Sequence, residues 1–160
     1  MTLARLGFRI VETMTGSHEF EEGRGPKGSH PFSFEGRWGT SDLSEWLKPS
    51  SGKFLVADLE GTVTAGGLCR NAPIKGRVEL RYFKDRKIRY VFEFRVNGKA
   101  YRFVGEKVNI RPWNLPVSHT TCYGVLTEKT TGRLVSRSVT HFRLRTIPAF
   151  LGSLRFHRAA

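Results

Sequence analysis

The sequence predicts an all-β domain of about eight strands, an antiparallel meander curled into a β-barrel with a short helix and a C-terminal helix. Three observations predict it. Runs of alternating apolar and polar residues, the period of a half-buried strand, dominate the chain. Short turn signals separate most of them, the clearest being Asn97-Gly98. An open sheet of this size would leave two exposed edges, which closure removes. A barrel is the first expectation and a two-sheet sandwich the second, in either case as one domain over residues 1–160.

The strand-like runs are Phe8 to Glu21, Phe32 to Trp38, Phe54 to Ala65, Ile74 to Phe83, Ile88 to Val96, Lys99 to Ile110, Val117 to Glu128 and Arg133 to Arg145. Glu22 to Pro31 is glycine-rich and reads as a flexible connection. Asp42 to Leu47 is a turn or two of helix: Asp42 with Glu45 three residues on resembles a capping box, and Pro49 ends it. A second helix is expected from Pro148 to His157. Ile147, Phe150, Leu151 and Leu154 fall on one helical face, and Pro148 suits a first turn.

Asn-Gly favours a two-residue type I′ turn, with positive φ at both positions. That turn sets Val96 opposite Lys99, Phe94 opposite Tyr101 and Phe92 opposite Phe103, with Tyr90 on the same face. The other face pairs Glu93 with Arg102 and Arg89 with Glu106, contacts worth about 0.2–1 kcal/mol each. The aromatic face is the one to bury. An odd loop or bulge near Asp85-Arg86 then brings Val78, Leu80 and Tyr82 onto it, because a slip of one residue turns every side chain over.

In the last hairpin a loop at Lys129 to Gly132 pairs Leu126 with Val135 and Thr121 with Thr140. The inward face then reads Val117, His119, Thr121, Tyr123 and Val125, opposite Ser136, Ser138, Thr140, Phe142 and Leu144. Glu128, Arg133, Arg137 and Arg143 face water. So many polar groups on an inward face suit a small-ligand pocket better than a dry core. The residues expected to line it are Tyr90, Phe92, Phe94, Tyr101, Phe103, Trp113, His119, Thr121, Tyr123, Ser138 and Thr140.

Glu12 shares a face with Phe8, Ile10 and Met14. A carboxylate there lies near a barrel mouth, pairs with an arginine, or is poised with a raised pKa. His119 is hydrogen-bonded scaffold or a general base. The Pro-bracketed stretch Arg111 to Pro116 carries Trp113, which caps a mouth or packs over its rim.

The net charge of +13, from 27 Lys and Arg against 14 Asp and Glu, favours acidic partners or merely solubilises the sheet exterior. An anionic membrane surface is one such partner, met by the amphipathic C-terminal segment with Arg155, His157 and Arg158. Nucleic acid is disfavoured. Lys99 to Val104 partly resembles an RNA-recognition strand, but that fold needs two helices for which this chain has no room. Two cysteines, Cys69 and Cys122, make no disulfide framework and point to a reducing cytoplasm. Met1 to Met14 holds no uninterrupted apolar run, so no secretory signal is expected, and nothing approaches the roughly 20 apolar residues of a membrane span. His18, His30, His141 and His157 have no metal-ligand spacing, and no Walker loop, dinucleotide fingerprint or nucleophile elbow is present. No metal and no cofactor is expected.

Over most of its length the chain resembles an accessory β domain found with bacterial cholesterol-oxidase-like members of the glucose–methanol–choline oxidoreductases. The resemblance is carried by Glu12-Thr13-Met14-Thr15-Gly16, Asp58-Leu59-Glu60-Gly61-Thr62-Val63, Tyr101 to Lys107 and Thr120-Thr121. It implies a link to sterol or other lipid metabolism and an oxidoreductase partner. The flavin-binding portion is absent, so it implies no oxidase activity. By analogy of fold, the barrel is also similar to lipocalin-like and allene-oxide-cyclase-like barrels, which hold hydrophobic molecules. The leading expectation is a binding module for a lipid or sterol-like molecule. The alternative is an isomerase or cyclase in the same cavity, with Glu12 or His119 moving a proton and Tyr123 donating a hydrogen bond. The sequence leaves open the ligand's identity, the oligomeric state and which barrel end is open.

Overall fold

Antiparallel pairing organises almost the whole of the described chain. The structure, a computed structural model, describes residues 5–81, 83–108, 121–142 and 155–159. In order these form β1 (Arg5–Phe20), β2 (Ser29–Thr40), α1 (Leu43–Trp46), β3 (Val56–Ala65), β4 (Cys69–Arg81), β5 (Lys87–Val96), β6 (Lys99–Lys107), β7 (Thr121–Glu128), β8 (Leu134–Phe142) and β9 (Arg155–Ala159). Each strand from β1 to β8 pairs with the next, and β8 returns to β1, closing an eight-stranded meander barrel.

One edge of β1 serves two partners: Met14–Phe20 pairs with β8, and Arg5–Arg9 pairs with β9. The helix expected from Pro148 to His157 is overturned where it meets described residues, because Arg155–Ala159 is strand β9. Helical periodicity is a weak prior, and the edge that β1 extends beyond β8 offers a backbone ladder that overrides it. Residues 148–154 lie outside the described residues. The first helix forms over Leu43–Trp46, with the Asp42 carboxylate accepting from the Ser44 and Glu45 amides at 3.0 and 3.2 Å.

The central hairpin has the expected turn, with φ of 50° at Asn97 and 82° at Gly98. Its register pairs Phe94 with Tyr101, Phe92 with Phe103, Glu93 with Arg102 and Arg89 with Glu106. On the outer face Glu106 lies 2.9 Å from Lys87 and 4.0 Å from Arg89, while the Glu93 carboxylate is taken by Lys129 at 2.8 Å. Arg81 pairs with Lys87, so the β4–β5 loop is odd, and Val78 is buried with Leu80 half-buried. Tyr82 lies outside the described residues.

Aromatic rings fill the middle of the barrel. Phe103 stacks on Phe92 at 4.6 Å between centroids and on Phe32 at 5.4 Å, and Phe34 lies 5.3 Å from Phe92. Glycines on the wall make the space. Gly105 and Gly124 face each other across β6 and β7, and a Cβ on Gly124 would meet the Phe103 ring and the Ser138 hydroxyl, each at 2.4 Å. The two barrel ends differ. One carries the β3–β4, β5–β6 and β7–β8 turns; the other carries α1 and the β4–β5 loop, and there β6 ends and β7 begins. At this second end Phe8, Ile10, Trp46 and Leu55 form a separate apolar cluster, with Phe8 and Trp46 edge to face at 5.2 Å.

Candidate functional site

Strand alternation brings Glu12 inside the barrel from β1, Trp38 from β2, Tyr90 from β5 and Lys107 from β6. They meet between the aromatic middle and the helix-bearing end. Lys107 Nζ donates to Glu12 Oε1 at 2.6 Å, the Tyr90 hydroxyl donates to Oε2 at 2.8 Å, and the Trp38 indole N–H donates to Oε2 at 3.2 Å. Glu12 and Lys107 are 5% and 3% exposed, so this is a charge pair removed from water. Such pairs survive only when both charges are also hydrogen-bonded. The carboxylate meets that condition three times over. The ammonium does so differently. It has three N–H donors, and among the described residues Glu12 is its single oxygen partner; its other neighbours are the faces of Tyr90 at 5.3 Å and Phe142 at 5.8 Å.

Beside the pair, β7 and β8 add Cys122 and its ladder partner Thr140, and Ser138 lies two residues further along β8, opposite His18; all three are buried. Burial pushes the Cys122 thiol up to about 12, against the opposing pull of Lys107. Among the described residues, the hydroxyls of its neighbour Thr140 and of Ser138 have no oxygen or nitrogen partner. The inward face of β8 is thus as polar as its sequence suggests, with Ser136, Ser138 and Thr140 inside.

The face expected of β7 is the opposite of the one observed. The loop itself holds, with the Glu128 amide donating to the Arg133 carbonyl at 2.9 Å. One step further the register shifts. Thr127 pairs with Leu134 but Leu126 with Ser136, and the extra residue, Val135, is buried beside the buried Ser136. This β-bulge turns β7 over. Cys122, Gly124 and Leu126 point inward, while Tyr123 is 55% exposed and the Thr121 hydroxyl bonds His141 on the outer face at 3.2 Å. Tyr123 and Glu12 therefore lie on opposite sides of the wall, and among the described residues no hydrogen bond joins them. His119 and Trp113 lie outside the described residues. Tyr90, Phe92, Phe94, Tyr101 and Phe103 are inside as expected.

Of the three readings open for Glu12, an ion pair is the one observed, with a lysine in place of an arginine. The sequence signal for Lys107 is period two, which runs from Tyr101 through Phe103 and Gly105 and lands on it. A second buried polar contact, at the other barrel end, has no counterpart among the sequence expectations. His18 Nε2 donates to the Gly66 carbonyl at 2.9 Å, so Nδ1 accepts from the Ser136 hydroxyl at 2.9 Å. Burial lowers the His18 pKa. Among the described residues, no cluster of three His, Cys, Asp or Glu side chains could hold a metal ion, and no helix is long and apolar enough to cross a membrane.

No family model matches this chain, and no curated protein or solved structure matches it either.

Proposed function

We propose that the chain is a binding module for a small amphipathic molecule, lipid or sterol-like, with an oxygen-bearing head. The observation that carries this reading is the Lys107 ammonium, buried to 3% exposure with one oxygen partner among the described residues. A buried ammonium gains from every oxygen it can reach, and a carboxylate, carbonyl or hydroxyl head supplies the missing acceptor. Glu12 fixes the ammonium's position, and the Thr140 hydroxyl adds a donor and acceptor nearby in the same polar layer. Phe142, Met14 and the rings of Tyr90 and Trp38 offer the apolar surface for the body of the ligand. The packed layer of Phe32, Phe34, Phe92 and Phe103 bounds the site on its inner side. Transport, storage or presentation of the ligand to an oxidoreductase partner is consistent with the sequence resemblance, which is the support for that partner.

Catalysis of isomerisation or cyclisation has weaker support. It requires Tyr123 to donate into the barrel interior on the side of Glu12, and the bulge at Val135 turns Tyr123 away. Native mass spectrometry of the chain purified without detergent tests the binding reading. A bound species of lipid mass, released by organic extraction, is expected; a single bare mass under all gentle conditions contradicts it.

A further inference from the structure

A groove on the outside of the helix-bearing end is lined entirely by apolar side chains: Leu47, Pro49, Phe54, Leu55 and Phe83. It encloses about 700 Å³. Its rim is unusually exposed for such residues. Phe83, in the β4–β5 loop, is 84% exposed, and Leu47, capping α1, is 57% exposed. Phe54 and Phe83 lie nearly parallel with ring centroids 6.4 Å apart, so the two elements present one continuous apolar ridge. Large apolar side chains left in water together mark a contact surface.

The charges beside this ridge say what kind of surface it meets. Lys48 follows Leu47, Lys84 follows Phe83, and Lys53 and Arg86 lie in the same two segments, all exposed. The nearby acids are already matched: Glu45 lies 3.8 Å from Lys53, and Asp85 lies 2.8 Å from Arg81. Lys48, Lys84 and Arg86 have no ion-pair partner among the described residues. An apolar tip framed by unpaired cations, on a chain of net charge +13, is complementary to an anionic lipid bilayer. The rings enter the acyl boundary while the cations meet headgroup phosphates.

We infer that Leu47 and Phe83, flanked by Lys48, Lys84 and Arg86, form a membrane-docking tip for anionic lipid surfaces. The inference stands independently of the ligand in the barrel. It also differs from the C-terminal membrane contact anticipated from the sequence, because it uses α1 and the β4–β5 loop.

Vesicles of phosphatidylcholine with and without phosphatidylglycerol test it by co-sedimentation. The wild-type chain should bind only the anionic vesicles, with affinity falling as salt rises. Leu47→Ser with Phe83→Ser should lower binding at least about tenfold, since two large apolar side chains lose their burial. Lys48→Ser, Lys84→Ser and Arg86→Ser should each cost about fivefold. These positions are exposed, so the variants should keep the wild-type circular dichroism spectrum. Phe83→Trp provides a second readout: the emission it adds over that of the wild type, which already carries three tryptophans, should move to the blue on adding anionic vesicles. Absence of binding at low salt overturns the inference. So does binding that ignores the Leu47 and Phe83 changes, or a Phe83→Trp minus wild-type difference emission that stays solvent-like. Self-association abolished by Phe83→Ser, without vesicle binding, would instead assign the ridge to a second copy of this chain.

Discussion

Lys107 and Glu12, 95 residues apart in sequence, meet at 2.6 Å inside the barrel, where neither charge reaches water. Each compensates the other's lost hydration, so the pair behaves as one unit. Removing one partner by Glu12→Leu or Lys107→Met leaves a buried, unmatched charge and should cost about 3–5 kcal/mol. Removing both should cost much less than the sum of the single changes. Urea denaturation of the four members of this cycle measures the coupling. Additive losses would show that the pair is not coupled.

His18 should make the barrel acid-sensitive. Both ring nitrogens are engaged, and burial lowers the folded-state pKa below the ordinary value of about 6.5. Below that ordinary value the unfolded chain takes up a proton that the folded chain refuses. Stability from this group is therefore complete above about pH 6.5, and it is lost as pH falls toward the lower folded value. The urea midpoint should drop through this window in the wild type and drop less in His18→Gln. Identical pH profiles would remove His18 as the cause.

The Cys122 thiol should be inert in the folded chain. It is buried with its pKa pushed up to about 12, so almost no thiolate exists near neutrality. Cys69 is half-buried with its thiol also raised by burial, and should react slowly. Thiol titration at mild alkaline pH should count Cys69 alone before urea is added and both after. Rapid modification of both in the native state contradicts the packing around Cys122.

Gly124 is a spacing residue for the aromatic layer. A methyl group there would meet the Phe103 ring and the Ser138 hydroxyl at 2.4 Å. Gly124→Ala should destabilise by about 1–3 kcal/mol through overpacking, with no change in secondary structure. A neutral substitution would mean that Phe103 moves freely, against its stacking on Phe92.

What could be read from sequence is what local rules govern. Asn97-Gly98 dictates its own turn, and the turn alone fixes which aromatics share a face, so the β5–β6 half of the interior is directly legible. The odd β4–β5 loop is legible because the alternative would bury Glu79 and Arg81. The β7 face is not, because a bulge at Val135 has no residue signature. A two-residue burial step at Val135 and Ser136 looks in sequence like ordinary alternation. Gly105 and Cys122, both at home inside, are the available hints. The ion pair is half legible: Glu12 stands out on an apolar stripe, while Lys107 at a strand end looks like a solvent residue. Strand β9 is hidden for another reason. Its place depends on the β1 edge left uncovered beyond β8, a property of the closed barrel and not of the segment itself.

If Lys107 receives the oxygen-bearing head of an amphipathic ligand, removing its charge must weaken binding. Calorimetric titration of the wild type and the Glu12→Leu/Lys107→Met double variant with dodecanoic acid and dodecanol measures this. The double variant keeps the interior free of unmatched charge, so its fold should survive. The wild type should bind at least one of these ligands, and at least about tenfold more tightly than the double variant, as expected for loss of a charge-assisted hydrogen bond. Equal affinity in the two proteins, or no binding by the wild type to either ligand, would contradict the assignment of Lys107 as the head-binding group.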